Sequence, residues 1–184
     1  MLGTCLPVAV LNGQSVGGSL GESMTTHFDV PADLLLAEVS ARLQDVETIT
    51  KPEWAKNVKT GVHRERAPVQ EDWWQTRCAA LLRKVARKGP IGVNHLAGEY
   101  GGSRDRDARP NRAKAGSRHV IRTALQQLEN SGLISMAQLK TIETQKGEKI
   151  TLHKGRIITK QGQGLLDTCA HQVRNSVEAD ISKY

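Results

Sequence analysis

Aromatic residues and cysteines are scarce in this chain of 184 residues, and it contains no long apolar run. Phe, Trp and Tyr together make up 3% of the sequence, which argues against the base-stacking surfaces of RRM and OB-fold proteins. Cys5, Cys78 and Cys169 lie far apart without a Cys-x-x-Cys pair, a pattern that disfavours a zinc site and favours a reducing compartment. No apolar stretch approaches the roughly 20 residues that a membrane-spanning helix needs.

Catalytic motifs are also missing from the sequence. The histidines are scattered and show no H-E-x-x-H spacing of the kind found in metal-dependent enzymes. No two carboxylates are placed for acid–base chemistry in an apolar setting. Gly162-Gln163-Gly164 falls inside a predicted helix and not after a strand, so it does not indicate a phosphate loop, and its glycines have no functional explanation. We therefore expect no catalysis, cofactor, metal ion or small-molecule substrate.

Positive charge dominates what the sequence does contain. The formal net charge is +7 and the pI is near 9.5, values that favour a nucleic acid or another anionic surface as the partner. A merely soluble basic protein is the alternative that charge alone leaves open. Because aromatic residues are few, we expect recognition of a nucleic-acid backbone and its shape, without extensive base stacking.

The sequence divides into a leader, one domain and a tail. Residues 1–23 contain no Lys or Arg and are rich in Gly and Ser, which indicates a disordered leader or an over-long start before Met24. Residues 24–173 are enough for a single domain with a hydrophobic core. Residues 174–184 are expected to form a frayed C-terminal tail.

Helices dominate the predicted domain. The first is expected from about Pro31 to Val46, followed by a short helix from Pro52 and a long helix from an Asp72 N-cap to Gly89-Pro90. Further helices are predicted over 93–99, from a Ser117 cap to Gly132, and from a Thr159 cap to Val173. Short strands near 133–135 and 156–158 would form a basic hairpin. This order predicts a mainly α, α+β fold with a winged-helix core, a basic two-stranded wing and additional packed helices.

The long predicted helix carries both a core face and many basic residues. At 100° per residue its apolar side chains share one face, and they are Trp74, Cys78, Leu81, Leu82 and Val85. Its basic residues lie on two sides of that face, with Arg77, Lys84 and Lys88 on one flank and Arg83 and Arg87 nearly opposite. Such a distribution suggests a helix surrounded by polyanion. We interpret Trp54, Trp73 and Trp74 as core or interface anchors.

The segment over 103–116 is the most basic loop in the chain. It carries Arg104, Arg106, Arg109, Arg112 and Lys114 against two aspartates, and it leads into a helix whose predicted outer face holds Arg118 and Arg122. A loop this polar loses entropy when it is ordered, which an anionic partner would offset, although a disordered connector is the alternative. DNA-binding helix-turn-helix proteins join their helices with about 3–4 residues, whereas about 14 intervene here. The length therefore favours folded RNA over duplex DNA.

Several motifs in one register resemble the ribosomal protein S19e family. These motifs are Pro52-Glu53-Trp54, Trp73-Trp74-x-x-Arg77, Tyr100-Gly101-Gly102, Leu125-Gln126-Gln127-Leu128-Glu129 and Ile158-Thr159-x-x-Gly162-Gln163-x-x-Leu166-Asp167, within a match from about Phe28 to Val173. Lys59-Thr60-Gly61-Val62-His63 favours the archaeal branch of the family. The resemblance implies a cytoplasmic, ribosome-associated protein of the small-subunit head that binds the 3′ major domain of the small-subunit (16S-type) rRNA, contacts neighbouring head proteins and assists subunit maturation.

The resemblance also assigns Arg77, Arg83 and Arg122 to the family's functional basic surface. The chain departs from the family in its loosely matching 103–116 loop and in a longer hairpin over 136–152. A winged-helix transcription regulator that binds duplex DNA is the second hypothesis, and an RNA-processing enzyme is a weak third. The full predicted RNA-binding set is Arg77, Arg83, Lys84, Arg87, Lys88, Arg104, Arg106, Arg109, Arg112, Lys114, Arg118 and Arg122.

Overall fold

The computed structural model describes residues 25–143 and 149–181 and has the predicted α+β class. The interpretation of the leader before Met24 therefore lies outside the described residues. The helices in the described part are α1 (Ala32–Gln44), α2 (Trp73–Lys88), α3 (Val93–Glu99), α4 (Arg118–Asn130) and α5 (Lys160–Ile181), with a 3-10 turn at Glu53–Lys56. The strands in this part are β1 (Gly102–Arg104), β2 (Arg112–Lys114), β3 (Ile134–Glu143) and β4 (Lys149–Ile158), paired as two antiparallel hairpins.

Helix α2 forms the centre of the core, as its apolar periodicity predicts. All five residues of the predicted face are fully buried, and Trp73 and Ala79 widen that face. α1, α4 and α5 pack around α2, with the base of β4 beside them. Each buried leucine on this face contributes about 1.5–3 kcal/mol relative to an exposed position.

The helix ends follow most of the local signals in the sequence. Gly89 takes φ 70° and donates its N–H to Val85, which ends α2, and the Ser117 hydroxyl accepts the Val120 N–H at 3.4 Å at the start of α4. The Thr159 hydroxyl accepts the Gly162 N–H at 3.2 Å before α5. Asp72 precedes α2 as predicted, but its side chain makes no capping hydrogen bond, because its backbone (φ −89°, ψ 12°) is not extended as a capping residue requires.

The last helix extends beyond its predicted end at Val173. α5 continues to Ile181, so residues 174–181 are helical where the sequence predicts a frayed tail. Two contacts support the added turns, because Val177 packs on the core and Arg174 pairs with Glu178 at 2.6 Å. Pairs spaced four residues apart favour continued helix.

The predicted basic hairpin is present and is longer than its sequence signals indicate. We call β3–β4 the wing; its strands are ten residues each and its register shifts twice, at Ala137/Gln138 and at Gln138/Lys140. Ile91 joins the base of the wing to the turn between α2 and α3 through paired backbone hydrogen bonds with Arg156 of 3.1 and 3.0 Å. Gly155 permits this approach, since its φ is 134° and a Cβ would lie 2.6 Å from the Ile91 backbone. The expected tip around Lys146 and Glu148 lies outside the described residues.

The segment over 103–116, predicted as a loop, contains the short β1–β2 hairpin. We call it the arginine hairpin; its register pairs Gly102 with Lys114 and Arg104 with Arg112. Its C-terminal end is fixed by a 2.8 Å hydrogen bond from the Gly116 N–H to the Ala97 carbonyl. Sequence reasoning missed these strands because charge and length are typical of irregular loops, whereas the pairing depends on the fixed ends.

Gly162 gains an explanation that the sequence lacks. It is buried where α5 crosses the base of the wing, and a Cβ there would lie 2.3 Å from the Leu133 carbonyl oxygen. Gly164, two residues along the same helix, has open space around its Cβ position. Close backbone approach therefore requires glycine at the first position only.

These two glycines form a matched pair of substitutions. Gly162→Ala should lower the free energy of unfolding by about 1–3 kcal/mol, because the new methyl group overlaps backbone atoms. Gly164→Ala should raise it by up to about 1 kcal/mol through helix propensity alone. Urea unfolding followed by circular dichroism measures both, and equal effects of the two substitutions would contradict the packing described here.

Candidate nucleic-acid interface

The outer face of α4 presents basic residues as predicted. Arg118 and Arg122 are exposed, while Val120 and Ile121 point into the core. His119, between them, lies against the Trp54 ring with a centroid distance of 4.6 Å. The hydrogen-bonded cap at the start of the helix orders the first turn, and this places Arg118 and Arg122 on an ordered surface.

The arginine hairpin lies directly before this helix and concentrates positive charge. Its register places Arg104 opposite Arg112, and like charges directly across two strands repel each other. Arg106 is half-buried, whereas the other predicted contact residues of the hairpin are exposed, namely Arg104, Arg109, Arg112 and Lys114. In the part of the chain that the structure describes, none of these five cations forms an ion pair with a carboxylate.

A second basic segment, absent from the predicted set, lies beside the hairpin. The loop carrying Lys59, Arg64 and Arg66 is joined to the start of α4 by a bridge between Gly61 and Gly116. A 2.9 Å hydrogen bond from the Ser117 N–H to the Thr60 carbonyl reinforces this joint. The charge run in the sequence signals this loop, but only the tertiary structure brings it next to α4.

Two cations of α2 are compensated within the molecule. Lys84 contacts one carboxylate oxygen of Glu99 at 2.8 Å and Lys88 contacts the other, with His95 at 3.2 Å from the carboxylate. Hydrogen bonds from Lys84 and then Lys88 lower the pKa of Glu99 to about 2. Glu99 therefore neutralises part of the charge that the sequence assigns to RNA on this flank.

The three arginines of α2 lie in different environments. Arg77 is half-buried over the Tyr100 ring at 4.2 Å, and Lys84 lies 4.2 Å from the centroid of the same ring. Burial lowers the pKa of the Arg77 guanidinium. Arg83 is half-buried, and its Nε has no hydrogen-bond partner among the described residues. Arg87 is exposed.

The three tryptophans act as packing anchors of the fold. Trp73 and Trp74 are buried, and half-buried Trp54 packs edge-on against Trp74 with centroids 5.7 Å apart. The Trp74 indole N–H donates to Gln127 Oε1 at 2.8 Å, and the Gln127 amide donates to the Thr50 carbonyl at 2.8 Å. These bonds link α2, α4 and the segment before the 3-10 turn.

Neither a metal site nor a membrane-spanning helix is found in the described residues. Within 25–143 and 149–181, no group of three or more His, Cys, Asp or Glu side chains could hold a metal ion. In the same ranges, no helix combines the length and apolarity needed to cross a membrane. The candidate interface is the basic surface formed by the arginine hairpin, the outer face of α4 and the adjoining basic loop.

Comparison with known proteins identifies the family. The sequence matches the family described as ribosomal protein S19e over residues 26–176. The chain belongs to the ribosomal protein S19e family. This membership confirms the resemblance that the motifs between Phe28 and Val173 carry, and the matched range extends into the last turns of α5.

Archaeal and eukaryotic members of the S19e family are similar over most of the chain. Small ribosomal subunit protein eS19 of Haloarcula marismortui is 43% identical over 88% of this chain and 99% of that protein. The eS19 protein of Thermoplasma volcanium is 36% identical over 78% of this chain and 86% of that protein. The eS19A protein of Schizosaccharomyces pombe is 34% identical over 79% of this chain and 91% of that protein. These archaeal similarities agree with the expected archaeal type.

Removal of the Glu99 carboxylate should reveal its role in this S19e chain. Because the folded-state pKa is depressed, the carboxylate contributes stability above its ordinary pKa of 4.5, and this is lost as pH falls toward about 2. Glu99→Gln should thus lower stability at pH 7 by up to about 1 kcal/mol and have little effect near pH 2.

Urea midpoints of both proteins at pH 7, 4 and 2.5 measure this difference. Glu38→Gln, which removes a half-buried pair with Arg42 at 3.6 Å, is the matched control and should change little at any pH. A Glu99→Gln effect that persists undiminished at pH 2.5 would contradict the assigned ion pairs.

Proposed function

We propose that this S19e chain is a non-catalytic structural component of the small ribosomal subunit and binds the rRNA of the subunit head. The target would be the 3′ major domain of the small-subunit rRNA, with neighbouring head proteins as further partners. In this role the protein is cytoplasmic and ribosome-associated and assists maturation of the head. Family membership and the names of the relatives support the coarser assignment, and the charge distribution supports the RNA contact.

The uncompensated charge of the arginine hairpin is the observation that carries the RNA proposal. Arg104 and Arg112 oppose each other across the strands, and Arg118 follows on the next helix. Bringing cations together without carboxylates raises the free energy of the isolated protein. RNA phosphates approaching this surface remove the repulsion and release counterions, so the same arrangement favours binding.

The position of the hairpin also favours RNA over duplex DNA. In a helix-turn-helix protein the recognition helix enters the major groove directly after a short turn. Here the hairpin lies between the end of α3 at Glu99 and the start of α4 at Arg118, beside the helix that would have to enter the groove. The irregular surface of folded RNA accommodates such a projection. The DNA-binding regulator has no support from the family or from the relatives described above.

The predicted contact residues differ in how available they are to RNA. The exposed, unpaired cations of the hairpin and α4 are proposed as the main phosphate ligands, together with Arg87 on the outer side of α2. Lys84 and Lys88 would contact RNA while sharing their charge with Glu99. Arg77, Arg83 and Arg106 are half-buried and would act at closer range, since a partly desolvated guanidinium binds phosphate strongly.

Removing two α4 charges should weaken RNA binding in a salt-dependent way. Arg118→Gln combined with Arg122→Gln should reduce affinity for a head-domain rRNA transcript. It should also reduce the slope of log K against log salt by about 1.4–1.8, as expected for two lost phosphate contacts. Filter binding across a range of salt concentrations measures both quantities.

Lys56→Gln combined with Lys160→Gln removes the same charge from two exposed positions that are not among the proposed RNA contacts, and it is the matched control. Its slope should remain close to that of the wild type. Equal losses in the two double variants would show that net charge, and not the outer face of α4, governs binding.

The ribosomal assignment has a direct test in cell extract. Sucrose-gradient sedimentation with immunodetection should find the protein with small subunits at low salt and release it at high salt, because the proposed attachment is electrostatic. A protein confined to the light fractions at low salt would contradict the proposed function.

A further inference from the structure

A pocket lined by three arginines lies between the basic loop and α2, apart from the arginine hairpin. Its volume is about 400 Å³, within the range of sites that enclose a small ligand. We call it the arginine pocket. Its wall from the loop carries Arg64 and Arg66, and its wall from α2 carries Arg77 with Tyr100 beside it.

No carboxylate lines the arginine pocket. A smaller neighbouring concavity of about 250 Å³ also contains Arg64, but there Glu65, Asp105 and Asp107 share the lining with the basic residues. Among the described residues, Arg64, Arg66 and Arg77 form no ion pair with a carboxylate. The positive charge of this pocket is therefore uncompensated within the described part of the chain.

The missing carboxylate partner is most unfavourable for Arg77, because its positive charge is partly removed from water. Its side chain is half-buried against Tyr100 at 4.2 Å, and burial followed by repulsion from Arg64 lowers its pKa. A buried cation is stable when an anion is hydrogen-bonded to it. The guanidinium also matches a phosphate group with two parallel N–H donors.

The rest of the pocket suits a nucleoside attached to that phosphate. Trp73, Pro68 and Ala80 supply apolar wall, while Thr76 and Gln70 supply hydrogen-bonding groups. A duplex holds its bases in the stack, whereas an unpaired nucleotide can turn its base and sugar into a cleft of this size. The loop wall is anchored, because its Thr60 carbonyl accepts the Ser117 N–H at 2.9 Å.

We propose that the arginine pocket binds one unpaired nucleotide of an RNA strand, with its phosphate held by Arg64, Arg66 and Arg77. This proposal rests on the RNA-binding function proposed above and adds Arg64 and Arg66 to the contact residues. The apolar wall and the hydroxyl of Thr76 receive the base and the ribose. The pocket therefore distinguishes single-stranded from paired RNA, which the exposed arginine hairpin does not.

Titration of the full ¹⁵N-labelled chain with a single-stranded oligouridine tetranucleotide tests the pocket. The Arg77 Nε–Hε NMR signal, assigned by its loss in Arg77→Lys, should shift with the tetranucleotide and shift much less with an RNA duplex or inorganic phosphate. Arg64→Gln combined with Arg66→Gln should raise the Kd for the tetranucleotide about a hundredfold, as expected for two lost charged hydrogen bonds. Both residues are exposed, so the variant should keep the wild-type melting temperature.

Lys56→Gln combined with Lys160→Gln is again the charge-matched control and should change the Kd less than about twofold, since its lost charges lie outside the pocket. Equal weakening in both double variants, or equal Arg77 shifts with duplex and tetranucleotide, would overturn the proposal. Binding of the same proteins to the head-domain rRNA transcript distinguishes failure of the pocket proposal from failure of the proposed RNA-binding function. Wild-type binding to the transcript without an Arg77 shift would refute the pocket alone, whereas no binding to the transcript would refute the proposed function.

Discussion

Burial of one face of α2 is the constraint on which the rest of the structure depends. Trp74 and Cys78 are fully buried at the centre of the domain, and α1, α4 and α5 pack around them. The Trp74 indole binds Gln127, and Gln127 binds the Thr50 carbonyl, so one polar chain fixes α2, α4 and the segment before the 3-10 turn relative to each other. A helix held in this way must carry its cations around the edge of the core, where they meet neighbouring loops or solvent.

Compensation by carboxylates then divides the basic surface into two kinds of cation. Lys84 and Lys88 share Glu99, and at the base of the wing Arg156 binds Glu129 at 3.1 Å. These pairs contribute to the architecture. The arginine hairpin, the outer face of α4 and the arginine pocket have no carboxylate partner in the described residues, so the proposed RNA binding depends on them. The +7 net charge alone does not separate these roles.

Local signals predict much of the fold because they act over a few residues. The apolar periodicity of α2, the glycine after its last turn and the Ser117 cap each determine an element from nearby side chains, and the structure has all three. Two predictions that depended on distant contacts were wrong. α5 continues past Val173 because Val177 finds the core, and the 103–116 segment pairs into strands because its two ends are held by the rest of the domain. The requirement for glycine at position 162 likewise arises only from the close approach of the Leu133 backbone.

The sequence by itself determined the class of the fold, the helix that forms its centre, the basic character of the surface and the family, since composition, periodicity and motif order are properties of the chain alone. Only the tertiary structure decided which cations remain available to a partner. Glu99 neutralises Lys84 and Lys88 from another helix, and the loop with Arg64 and Arg66 meets Arg77 across a pocket. Ion pairing depends on distances of a few ångströms between residues far apart in the chain, and these distances exist only after the core has formed.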